Sequence, residues 1–215
     1  GLGRPDGGKL AQAASEEAER AEALEQLQAA GLTRSGRTAA AWRNAGRFMG
    51  AAEQASLLRI ALGGPAEVLN ATRRIGLVGS PLASSRTYEM IEQFGTVVSD
   101  QQSFGQMWPG PGNARGNLED ILAATAADPS CFRITPTSAY RAALVKNLVE
   151  AKCDLVICQL AQTDDTFGWE IPALFAELAA HDIACVNLGF RDAEPDTDWL
   201  AHASQLISQA LEGGK

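Results

Sequence analysis

The chain is short of the side chains on which most polar catalysis depends. Its 215 residues include two histidines, four cysteines, two tyrosines and only 6% aromatic residues. His181 and His202 fall on or beside helical text, with no partners arranged for Ser-His-Asp chemistry. His181 suits a helix C-terminus, where a cation is favoured. The cysteines Cys131, Cys153, Cys158 and Cys185 show no C-x-x-C spacing and have no histidine close by in sequence. Three of them stand in apolar runs, where cysteine acts as a small hydrophobe. We therefore expect reduced thiols, a cytoplasmic location and no metal site. Positive charge is scarce as well, with 18 Lys and Arg against 26 Asp and Glu and a net charge of −8. That balance excludes a broad nucleic-acid footprint and a polybasic membrane patch. No apolar run approaches the roughly 20 residues of a membrane helix. The opening text GLGRPDGGKLAQ lacks the apolar core of a signal peptide. It begins on glycine rather than methionine, as a processed product or a fragment would.

What is present reads in two parts. Residues 1–73 form a helical N-terminal segment. Lys9–Ala30 is dense in strong helix formers, with Leu10, Ala13, Ala21, Leu24, Leu27 and Ala30 at three- to four-residue steps. A second helix is expected over Thr38–Leu62, weakened at Gly46 and Gly50 and stopped by Gly63-Gly64-Pro65. A short helix is expected over Ala66–Thr72. Residues 74–215 form an α/β domain. Apolar runs at Ile75–Gly79, Thr96–Asp100, Cys153–Leu160 and Ile183–Leu188 alternate with helical text at Ser84–Phe94, Asn117–Ala127, Thr137–Lys152, Trp169–His181 and Asp196–Leu211. Strands that are apolar at successive positions, separated by helices, predict a doubly wound four-stranded parallel sheet of flavodoxin- or Rossmann-like type. Ligands in such sheets sit beyond the carboxyl ends of the strands. The candidate loops are then Ser80–Ser85, Asp100–Gly116, Gln162–Gly168 and Gly189–Asp198.

Three features carry possible chemistry. The turn Gly79-Ser80-Pro81-Leu82-Ala83-Ser84-Ser85 offers amides and hydroxyls to an anion at a helix start, or is an ordinary turn with Ser84 or Ser85 as N-cap. It matches neither G-x-G-x-x-G nor a P-loop. Asp100, Asp164 and Asp165 follow strands and are placed to meet above the sheet around a hard cation, or to cap helices and turns. Trp108 and Trp169 lie in or beside the same loops and suit the wall of a ring or acyl pocket or plain rim packing. The ligand-binding candidates are Gly79, Ser80, Pro81, Ser84, Trp108 and Asp165.

Taken in order, these segments resemble the 2-hydroxyacyl-CoA dehydratase D-component family, which includes benzoyl-CoA reductase subunits. The resemblance runs from about Glu17 onward and is to the C-terminal half of such a subunit. It is carried by Ile75-Gly-Leu-Val-Gly-Ser-Pro-Leu82, Tyr88-Glu-Met-Ile-Glu92, Val98-Ser-Asp100-Gln-Gln-Ser103-Phe-Gly105, the helix and strand Leu144–Leu160, Gln162-Thr-Asp-Asp165, Glu170-Ile-Pro172 and Ile183–Leu188. The resemblance implies an iron–sulfur cluster held by cysteine thiolates. Ser103 and Asp164 stand here where two of those cysteines align, and both are poor ligands for such a cluster. The expectation is a divergent, cluster-less subunit, with any cluster on a partner. It would shape an acyl-CoA or aromatic-acyl site within a complex or a homo-oligomer. The alternatives are a non-redox small-ligand-binding or regulatory domain, and an enzyme with new chemistry at Asp100, Ser103 and Asp164.

Overall fold

The computed structural model describes residues 6–30, 33–69, 72–82, 85–102, 118–127 and 135–213. The N-terminal helices are α1 (Gly7–Ala29), α2 (Gly36–Ala45) and α3 (Ala51–Leu62). Ala23, Leu27, Ala39, Ala55 and Leu58 form a small core among them. The helix expected over Thr38–Leu62 is thus two helices. The break comes where its glycines fall, and Gln54 of α3 donates to the Trp42 and Arg43 carbonyls at the end of α2. The expected helix at Ala66–Thr72 is not found, since the described residues 66–69 are non-helical. The Glu67 N–H goes instead to the Thr33 carbonyl, and its carboxylate accepts from Ser35 N–H. Arg34, itself buried, donates to the Ala61 and Gly64 carbonyls. The chain after α3 is therefore stitched back to the start of α2.

From Arg74 onward strands and helices alternate. They are β1 (Arg74–Gly79), α4 (Ser85–Ile91), β2 (Thr96–Asp100), α5 (Leu118–Ala127), α6 (Thr137–Glu150), β3 (Leu155–Ala161), α7 (Asp165–Gly168), α8 (Ile171–Ala179), β4 (Ala184–Arg191) and α9 (Thr197–Gly213). The four strands are parallel and lie in the order β2-β1-β3-β4. Alternate strand residues feed two separate cores. Leu77, Ile157, Val186 and Leu188 face Tyr88 and Ile91 of α4 and Ala203 and Ile207 of α9. Val78, Val156, Cys158 and Leu160 face Leu144 and Leu148 of α6 and Leu174 and Leu178 of α8. Both faces are covered, so the sheet is the doubly wound kind that the apolar runs predict.

Two local expectations change. β4 runs to Arg191, so the first residues of the expected fourth loop are strand. The third loop contains the four-residue helix α7, too short to leave a periodicity in sequence. The two sheet edges also differ. β2 is buried throughout, whereas β4 alternates between buried and exposed positions. Helix α2 approaches β2 so closely that a Cβ on Gly36 would lie 2.5 Å from the Val97 Cβ, which only glycine avoids.

Candidate functional site

The strand order reverses between β1 and β3, and the crevice beyond their carboxyl ends is where ligands sit in doubly wound sheets. Here it is built by a tight backbone approach. Gly79 has φ +103, and a Cβ there would lie 2.1 Å from the Gln159 carbonyl oxygen. Glycine alone allows that conformation and that contact. Ser80 follows, buried, and its N–H donates to the same carbonyl at 3.0 Å. The Ser80 hydroxyl accepts from Ala161 N–H at 2.8 Å and donates to Asp164 Oδ2 at 2.6 Å. Asp164 in turn caps α7 by accepting from Phe167 N–H at 3.5 Å.

Behind this pair lies a buried amide and a buried cation. Gln159 donates through Nε2 to the Ser80 carbonyl and accepts through Oε1 from Arg191 Nε. Arg191 is 3% exposed and also donates to the carbonyls of Pro81, Asp192 and Ala193. It has no carboxylate partner among the described residues, and burial lowers its pKa from the ordinary arginine value. One side chain at the end of β4 thus ties together the turns after β1 and β4.

Beyond β2 stands a second polar group. Asp100 Oδ2 accepts from Arg43 Nη2 at 2.6 Å and from the Tyr88 hydroxyl at 2.8 Å, while Oδ1 accepts from Gln102 N–H at 3.3 Å. The ion pair is buried on both sides. Burial, with the Asp100 charge beside it, raises the Tyr88 pKa far above that of a free phenol. Gln101 bridges Ser99 and Asn147. The described carboxyl edge therefore carries two polar groups, one at the crevice and one beyond β2.

Of the residues singled out from sequence, Gly79, Ser80, Pro81 and Asp164 come together at the crevice. Asp100 is engaged elsewhere, by α2 and α4. No group of three or more His, Cys, Asp or Glu side chains suited to a metal forms among the described residues. Asp165 opens α7, and its side chain lies outside the described part. Ser84, Ser103, Trp108 and Cys131 also lie outside the described residues. Trp169 is 84% exposed. Sequence reasoning missed Arg43, Gln102, Gln159 and Arg191. Gln159 left one signal, a polar residue inside the apolar run Leu155–Leu160.

Comparison with known families gives a match over most of the chain. The model for the 2-hydroxyglutaryl-CoA dehydratase D-component family matches residues 4–205, and the chain belongs to that family. No curated protein matches the chain. The kinship implies an iron–sulfur cluster, and among the described residues no cysteine stands at the crevice. Asp164 commits its carboxylate to Ser80 and Phe167. Cys158 is buried in the core of β3, Cys153 precedes that strand at its opposite end, and Cys185 is near the start of β4. Burial pushes the thiols of Cys153 and Cys158 up to about 12 and that of Cys185 up to about 11, in keeping with cysteines packed as small hydrophobes.

Proposed function

We propose that the chain is a divergent D-component-like subunit that carries no cluster of its own and supplies an acyl-CoA or aromatic-acyl binding surface to a complex. The observation that carries this reading is the chemistry of the crevice. At Asp164, one of the two positions where the resemblance puts a cluster thiolate, a carboxylate accepts from the Ser80 hydroxyl, and Gln159 and Arg191 extend the network behind it. Such a network suits recognition of carbonyl and hydroxyl groups better than electron transfer.

The family name describes a component of a larger enzyme, and the surface supports a partner subunit. Phe48, Ile60 and Val68 of the N-terminal segment, with Trp169 and Phe190 beside β4, expose large apolar side chains. A second copy of the chain is the other candidate for that cover. No helix among the described residues is long and apolar enough to cross a membrane. The free cysteines support a reducing compartment, the cytoplasm.

Iron analysis after anaerobic purification tests the cluster-less reading. We expect no stoichiometric iron and no broad absorbance in the visible region. About four irons per chain would sink it.

A further inference from the structure

A cavity of about 260 Å³, open to solvent, lies between the helical segment and the α/β domain. Gln28 and Ala29, which end α1, form one wall. Arg74, Asn147 and Glu150 form the other, over Val98 of β2. Val98 belongs to the core on the α6 face of the sheet, so the cavity is on that face. Arg74 opens β1, at the opposite end of that strand from Gly79 and the crevice.

The cavity holds a fixed cation. Arg74 is half-buried, and its Nε and Nη2 donate to the Ala151 carbonyl at 2.9 and 2.6 Å, at the end of α6. Nε also reaches the Lys152 carbonyl at 3.1 Å. These bonds seat the guanidinium on the negative end of α6 and leave Nη1 uncommitted among the described residues. Asp154 accepts from the Arg74 backbone N–H, not from the guanidinium. No ion pair to Arg74 forms among the described residues. Helix α1 has no basic residue in its last turn, so its negative end lacks the cation that Arg74 gives to α6. Glu150 adds a carboxylate across the cavity. Its contact with Lys146 is 3.9 Å long and exposed on both sides, which makes it a weak pair. Asn147 gives its Nδ2 to Gln101 at 3.0 Å, so its Oδ1 is the atom left to accept.

We propose that this cavity binds a small aliphatic α-amino acid, with its carboxylate at Arg74 Nη1 and its ammonium toward Glu150, Asn147 Oδ1 and the end of α1. A zwitterion brings one charge of each sign to a site that holds one of each, and leaves none uncompensated. A simple anion meets Glu150 and two helix C-termini, and a simple amine meets Arg74. Val98 and Ala29 offer a small apolar surface to the side chain. The volume falls just below the range of pockets for drug-sized ligands, which suits a molecule of this size. Because the walls come from both parts of the chain, the ligand ties α1 to the α/β domain. The site is separate from the crevice, and it stands or falls independently of the acyl-binding reading.

The test is calorimetric titration of the full chain with L-valine, with isovalerate, which lacks the ammonium, and with isobutylamine, which lacks the carboxylate. We expect L-valine to bind wild type saturably and each analogue to bind about tenfold more weakly or worse, the scale of one hydrogen bond to a charged group. Arg74→Gln should weaken L-valine by about tenfold or more, and Glu150→Gln by about two- to fivefold, as for an exposed ion pair. No saturable binding of L-valine to wild type overturns the proposal. Equal binding by Arg74→Gln and wild type also overturns it, by placing the ligand elsewhere. Either analogue binding as tightly as L-valine overturns the assignment of a zwitterion. Should Arg74→Gln not fold, the backbone amide resonances of Gln28, Ala29 and Arg74 in wild type decide. Their joint shift on adding L-valine supports the site, and unmoved signals overturn it.

Discussion

The two edges of the sheet solve one problem in different ways. An edge strand leaves a row of unpaired N–H and C=O groups. At β2 the N-terminal segment covers the edge region. Helix α2 comes within side-chain contact of Val97 at Gly36, Glu92 of α4 accepts from Gly36 N–H, and Arg43 reaches across to Asp100. At β4 no such cover is found among the described residues, and Ala184, Asn187 and Phe190 are exposed. The first edge is closed within the chain. The second presents strand and aromatic surface to whatever binds there. The contrast sets a stability role for the helical segment against the assembly role proposed for the β4 side.

The largest effect should come from breaking the Arg43–Asp100 pair. Arg43→Ala leaves Asp100 buried with one phenol and one amide as described partners. We expect a loss of about 3–5 kcal/mol in urea denaturation, and a change within measurement error would remove α2 from the stabilising set. Gly36→Ala should cost less, about 1–3 kcal/mol, because its methyl must displace Val97. The double variant with Val97→Ala should recover part of that loss, and strict additivity would show that the two sites do not touch. Phe190→Ser should be the mildest to the fold, within about 0.5 kcal/mol, because more than half of the side chain is already in water. Native mass spectrometry should show the same variant losing self-association or a copurifying partner. If it melts much earlier instead, the β4 edge belongs to the fold of the single chain.

Legibility followed the same division. β1, β2 and β3 were readable because a strand buried on both faces must be apolar at successive positions. β4 was found, but its extension to Arg191 was not, because Gly189 and a charged residue after an apolar run look like the start of a loop. The break between α2 and α3 was announced by Gly46 and Gly50, yet the stitching of residues 66–69 by Arg34 and Glu67 left no local pattern. Ser80 and Asp164 were each conspicuous from their positions after strands. Their hydrogen bond was not, since 84 residues separate them and only the adjacency of β1 and β3 brings them together. Gln102 left no signal either, because the Leu82 N–H from which its side chain accepts lies 20 residues back in sequence.

Arg191 carries a consequence for the order in which the molecule takes shape. Its guanidinium holds the Pro81 carbonyl across 110 residues of sequence. Closing so long a loop comes late, after local helices and nearer pairings have formed. A nascent chain emerges from its amino end, so the turn after the first strand waits for the last strand to leave the ribosome. Until then the crevice has a floor and no clasp, and a chain truncated before Arg191 would lose that tie together with α9, whose Ala203 and Ile207 cover one face of the sheet.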